Sequence, residues 1–162
     1  MTLEAKFQSQ RFPSSPGRPG AAPASQPALQ GEIAISSEND IVAARRAIRE
    51  AATALGFSIV DVTRIVTAAS ELTRNIYQYA GSGTVRWRAV HQAGLATAGL
   101  QLVFEDHGPG IADVDQAMES GFTTGRGMGL GLPGARRLMD EMRIQSRVGM
   151  GTRIEIAKWL RK

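Results

Sequence analysis

The sequence predicts an α+β domain built on antiparallel strands, and three observations lead there. Short stretches alternate apolar and polar residues and are separated by turn-sized gaps, the pattern of strands with one buried face. Between the first and second of them lie two long stretches with apolar residues at helical spacing. Two glycine-rich pentapeptides, Asp106-His107-Gly108-Pro109-Gly110 and Gly127-Met128-Gly129-Leu130-Gly131, fall after a strand and at the start of a helix. Glycine serves there because the backbone must approach something closely.

The chain has 162 residues, 43% of them hydrophobic, a size that supports one core rather than two. It contains no cysteine and two histidines, which excludes disulfides and thiolate metal sites and argues against a histidine metal site. No run approaches the length of a membrane span, and the N-terminus lacks the layout of a secretory signal, so a soluble cytoplasmic protein with no membrane partner is expected. The net charge of +4 raises nucleic acid as a partner. Its arginines are dispersed, however, over Arg45, Arg46 and Arg49, over Arg86 and Arg88, and over Arg136 and Arg137. Solvated faces account for them better than a nucleic-acid footprint, and an acidic protein partner is equally compatible.

From Met1 to about Gln30 the chain is rich in Pro, Ala, Gly, Ser and Gln and cannot offset its ordering entropy, so a flexible tail is expected, with peptide docking as the alternative. The folded unit is expected over 31–162. Glu32 to Ser36 alternates and reads as an edge strand. Ser37-Glu38-Asn39-Asp40 has the capping-box pattern, and Ile41, Ala44, Ile48, Ala52 and Leu55 carry a helix to Gly56. Ser58 and Asp61 repeat that pattern, with Phe57 and Val62 placed for a hydrophobic staple. Val62, Ile65, Val66, Ala69, Leu72 and Ile76 then predict a helix to about Tyr79-Ala80, stopped by Gly81.

Thr84 to Val90 sets apolar residues against arginine, and Leu100 to Phe104 alternates less strictly, so an antiparallel pair is expected across the loop from His91 to Gly99. The second strand leads into Asp106, which places a carboxylate at a strand end beside a Gly-Pro-Gly turn. Val114, Ala117 and Met118 suggest a short helix, and the stretch to Thr124 a small lid. Gly125 to Gly131 opens a helix expected to reach Met142, and its glycine-rich start suits phosphate. Ile144 to Val148 and Thr152 to Leu160 read as a closing hairpin around Gly149-Met150-Gly151.

Glu71 and Asn75 stand four apart and share a helical face at the rim of the core stripe. They offer a base and a neutral oxygen ligand for a hard cation, although an ordinary solvent face also accommodates them.

Three boxes, Glu71-Leu72-Thr73-Arg74-Asn75, Asp106 to Gly110 and Gly127 to Gly131, occur in an order that resembles the Bergerat ATP-binding fold of gyrase-type ATPases, heat-shock chaperones, histidine kinases and anti-sigma-factor serine kinases. Glu71 to Tyr77, Glu105 to Ile111, Gly121 to Thr124, Gly129 to Gly134 and Lys158-Trp159-Leu160 look like the stressosome switch kinases of the last group. The resemblance covers about Gly31 to the C-terminus. It implies an α+β two-layer sandwich with a mixed, mostly antiparallel sheet covered by helices on one face.

By that resemblance Glu71 would be the catalytic base, Asn75 would reach Mg²⁺, and Asp106 would accept the adenine amine. The implied ATP-binding set is Asn75, Asp106, Gly108, Gly110, Ile111, Thr124, Gly125, Arg126, Gly127, Met128, Gly129, Leu130, Gly131 and Thr152. The phosphate loop has no lysine, and H-R-D and D-F-G strings are missing, so the chemistry is unlike that of the protein-kinase fold and leans on metal and backbone. The implied activity is serine/threonine phosphorylation of a STAS-domain antagonist, with activation of a PP2C-type phosphatase on release; a stressosome scaffold or sigma factor is a further partner. The alternative is an anti-sigma factor or phosphatase activator that uses ATP only to set its shape, and Glu71 distinguishes the two, because a pure binder needs no base. A histidine-kinase fragment is weaker still, since neither His91 nor His107 falls on a dimerisation helix.

Overall fold

The computed structural model of the chain describes residues 28–95, 97–119 and 131–161. The alternating stretches become β1 (Gln30–Ile35), β2 (Gly83–His91), β3 (Ala98–Asp106), β4 (Glu141–Arg147) and β5 (Gly151–Trp159). Among the described residues they form one sheet in the order β1-β2-β3-β5-β4. Every pairing among the described residues is antiparallel, in keeping with a mostly antiparallel sheet; β5 lies between β3 and β4, which run in the same direction, so the chain crosses over between those two strands. β1 is an edge strand, as its short alternation suggested. Its approach begins early: Ala89 N–H donates to Leu29 O and Trp87 Nε1–H to Ala28 O.

Helix α1 (Glu38–Leu55) starts where expected, with Ser37 Oγ accepting from Asp40 N–H, and ends on Gly56 at φ 92°. Helix α2 (Ile59–Asn75) is capped by Ser58 Oγ, which accepts from Asp61 N–H. The return arm of each capping box goes elsewhere. Asp40 Oδ2 accepts from Ser36 N–H at 2.9 Å, one residue before the cap. The Asp61 carboxylate faces Arg64 at 2.9 Å and Lys158 at 3.7 Å, because a buried ammonium needs a counter-charge. Beyond Asn75 the helix continues to Ala80, as expected, but as a π turn (Ile76–Ala80). The short α3 (Val114–Ala117) and α4 (Gly131–Leu138) complete the set. Among the described residues no helix is long and apolar enough to cross a membrane.

Strand register sorts the two sheet faces. Val85, Phe104 and Ile154 lie in one row and Trp87, Leu102 and Ile156 in the next; all are buried against Ile48 of α1, Ile65 and Leu72 of α2 and Ala135 of α4. Alanines at 44, 51, 52, 68 and 69, all buried, let α1 and α2 pack closely, since a small side chain lets helix axes approach. Among the described residues the opposite face carries ions rather than helices: Arg153 donates to Glu105 at 2.7 Å and to Glu155 at 2.8 Å, and Arg86 lies 3.6 Å from Glu105. The alternation of apolar residues with arginine read from β2 therefore marks the covered and open faces.

The helix expected to run to Met142 stops at Leu138 instead. Lys158, 4% exposed, donates to Leu138 O at 3.0 Å and pairs with Asp140 at 3.3 Å. Asp140 N–H bonds Ala157 O at 3.0 Å, so sheet pairing begins there and Met142 serves the core from β4, opposite Ile156. Helical periodicity mistook a strand residue for the next turn of the helix.

Asp140 also accepts from Trp159 N–H at 2.8 Å and Arg161 at 3.2 Å. Burial pushes its carboxyl up, but the Trp159 N–H, the charge of Lys158 and hydrogen bonds from Lys158 and Arg161 outweigh burial and hold it below its ordinary value. A carboxylate lowered on folding contributes stability above its unfolded value of 3.8 and loses that contribution as pH falls through the folded value. Asp140→Asn should cost about 1.5–3 kcal/mol near neutral pH, the range for hydrogen bonds to charged groups. Urea unfolding of both proteins should show the gap closing in acid; a gap independent of pH would remove the carboxylate charge as its source.

Candidate functional site

One row of paired residues crosses the whole sheet: Ile35, Gly83, Asp106, Thr152 and Ser146. It marks the sheet end that carries Asp106 and Thr152. The C-terminal end of α2 comes down on this row through the π turn. Gly83 has no room for a Cβ, which would lie 2.6 Å from Ile76 Cγ2 and 2.5 Å from Glu105 O, so a glycine lets the helix end rest on the strand. The end of α2, which carries Glu71 and Asn75, is thus brought against the strand that pairs with Asp106.

Asp106 sits at the last position of β3, as its sequence context indicated. Its Oδ1 accepts from Gly108 N–H at 2.9 Å, and among the described residues Oδ2 is left without a hydrogen-bond partner. The turn after it is clamped from both sides. A Cβ on Gly108 would lie 2.6 Å from Ala80 Cβ, and one on Gly110, at φ 74°, would strike Arg147 O. Gly149 N–H donates to Pro109 O at 2.8 Å, fastening the β4–β5 turn to the same loop. The two glycines therefore satisfy close contacts within the protein while leaving the carboxylate open.

Glu71 is 8% exposed, and Arg74 Nη1 donates to its Oε1 at 3.0 Å. The buried carboxylate is thus oriented by a cation one turn on, a role the sequence reading missed although the i, i+3 spacing would have allowed it. Asn75 is half-buried, and among the described residues no hydrogen bond engages its amide.

Ile111 and Thr152 meet through Ser146, which the sequence reading also passed over. Ser146 Oγ accepts from Ile111 N–H at 2.8 Å, reaches Gly151 O at 3.0 Å and lies 2.8 Å from Thr152 Oγ1. The signal for it lay in β4, where alternation sets Ser146 on the covered face opposite Thr152. Gly131, at φ 47°, opens α4, whose Leu132 and Ala135 are buried in the core shared with α2. Thr124, Gly125, Arg126, Gly127, Met128, Gly129 and Leu130, and the expected lid before them, lie outside the described residues.

Residues 35–158 match the model of the histidine kinase-like ATPase domain. Over 132 residues the chain is 51% identical to the serine/threonine-protein kinase RsbT of Bacillus subtilis, covering 82% of this chain and 98% of that protein. It belongs to the histidine kinase-like ATPase family, as an RsbT-like serine/threonine kinase. An anti-sigma F factor of Anoxybacillus flavithermus is 32% identical over 63% of this chain and 72% of its own. A solved structure of the RsbU and RsbW domains of a Mycobacterium tuberculosis protein superposes with a TM-score of 0.51 at 21% identity, covering 80% of this chain and 31% of that one, and supports the fold. Membership of this kinase family implies ATP use, and the site suits it: an open carboxylate acceptor beside a glycine turn fits the amine edge of adenine. No group of three or more His, Asp or Glu fit to hold a metal occurs among the described residues, so a cation here would rely on Asn75 together with the phosphates it accompanies.

The clamp at Gly110 has a measurable consequence. Gly110→Ala places a Cβ at positive φ against a carbonyl, and the conformational part alone costs about 1–2 kcal/mol. Its urea midpoint should fall accordingly, with the same slope as wild type, whereas an unchanged midpoint would mean the loop can relax away from β4.

Proposed function

We propose that the chain is an ATP-dependent protein serine/threonine kinase of a partner-switching pathway, acting in the cytoplasm on a STAS-domain antagonist and activating a PP2C-type phosphatase when released. A stressosome scaffold or a sigma factor completes the set of partners. The observation that carries the enzymatic part is a buried carboxylate at Glu71, held by Arg74, one turn before Asn75 on the helix whose end rests on the strand paired with Asp106. The similarity to a serine/threonine kinase over nearly its whole length supports the reaction type. The joining of an RsbU domain to an RsbW domain in one solved chain supports a second protein as the kinase's working companion.

In this reading Asp106 Oδ2 accepts from the adenine amine while Gly108 N–H holds Oδ1 in place. Asn75 offers its oxygen to Mg²⁺. ATP supplies the γ-phosphoryl group and Mg²⁺ neutralises its charge. Glu71, fixed by Arg74, takes the proton of the acceptor hydroxyl as that oxygen bonds to phosphorus and the bridging bond to ADP breaks. A protein need do little more for phosphoryl transfer than position the groups and balance charge.

A second reading, an anti-sigma factor that uses ATP to set its shape, is favoured by the 32% identity to an anti-sigma F factor. One substitution tests the nucleotide site that both readings share, and a second discriminates between them. Asp106→Asn exchanges an acceptor for a misplaced donor and loses a charged hydrogen bond, so calorimetry should show ATP affinity reduced about tenfold or more; unaltered affinity would take Asp106 out of the site. Glu71→Gln keeps size and reach but not basicity. It should bind Mg·ATP nearly as wild type while transfer of radiolabelled phosphate to a co-purified STAS partner drops by at least about a hundredfold. No transfer even by wild type would leave the binding-module reading standing.

A further inference from the structure

We propose that Ser146 is a positioning residue that makes the nucleotide site selective for adenine, by holding the Thr152 hydroxyl so that it can only accept. The inference rests on the placement of adenine at Asp106 and extends it to a residue that touches no ligand.

The number of protons on each group fixes the direction of every bond. Ile111 N–H can only donate, so Ser146 Oγ accepts from it at 2.8 Å. Gly151 O can only accept, so the single Ser146 proton is committed to it at 3.0 Å. In the 2.8 Å contact between Ser146 and Thr152 the proton must therefore come from Thr152. Ser146 is then saturated, with two bonds accepted and one donated. The Thr152 proton points at Ser146, which leaves lone pairs alone toward the site.

Thr152 is paired with Asp106 across β3 and β5, on the same sheet face. The row thus presents two neighbouring acceptors, the Asp106 carboxylate and Thr152 Oγ1. An exocyclic amine, with two N–H groups, supplies a donor to each. The carbonyl that guanine carries at that position would face two acceptors and no donor. Without Ser146 the threonine hydroxyl can rotate and donate to that carbonyl, so the discrimination depends on a side chain one strand away.

Calorimetry on the full chain, titrated separately with Mg·ATP and Mg·GTP, tests this. Ser146→Ala should lower the ratio of ATP to GTP affinity by about fivefold or more, the scale of one neutral hydrogen bond gained or lost, and Ser146→Thr, which restores a hydroxyl, should recover it. An unchanged ratio, or equal weakening of both nucleotides, would overturn the proposal and leave Ser146 a structural bridge. If Ser146→Ala does not fold, Thr152→Val decides: it should lower the same ratio, and no change sinks the idea. Asp106→Asn in the same titration separates the two levels. If it weakens ATP while Ser146→Ala leaves the ratio alone, only this inference fails; if it has no effect, the adenine placement fails and this inference with it.

Discussion

The site depends on backbone approaching backbone along the row from Ile35 to Ser146. A Cβ on Gly151 would strike Asp106 O, and one on Gly83 would meet Glu105 O and Ile76. These two glycines allow β2, β3 and β5 to meet at one level while the end of α2 settles on them. A side chain at Gly83 would push Ile76, and with it the helix end, off the sheet, and one at Gly151 would push β5 from the end of β3. A substitution far from any ligand atom would then act on all the functional groups at once, because packed interiors transmit displacement.

Much of this was legible in the sequence wherever the signal was local. Ser37, Gly56 and Ser58 marked helix ends through capping chemistry that needs only neighbouring residues, and Asp106 was placed at a strand end by the alternation before it. What stayed hidden was set by distant partners. The end of α4 is decided by Lys158, twenty residues on, and the direction of the Asp61 carboxylate by the same ammonium. Ser146 could be read as a strand residue, yet its importance lies in Ile111, which loop geometry brings to it. The π turn has no sequence signature that separates it from an α-helical continuation, because both bury Ile76.

Charge followed the same rule. The excess of basic residues looked like solvated faces, and Arg45 and Arg49 on α1 are indeed exposed. Others are structural. Arg86 and Arg153 lace the open face to Glu32, Glu105 and Glu155, and their aliphatic stems help to explain why Val103 and Gln101, on that face, are buried without a helix above them. Pairs of this kind contribute little each when exposed, but here they close a surface that would otherwise be apolar.

The sheet's two borders are also charged. β1 places Glu32 on one border, and β4 places Glu141, Arg143 and Arg147 on the other. Side chains of that kind discourage a further strand from adding to a free border, so the sheet is kept from growing by recruitment. In the partner-switching role proposed above, this would steer the protein away from the most adhesive contact a β-sheet offers and leave association to side-chain surfaces that can let go.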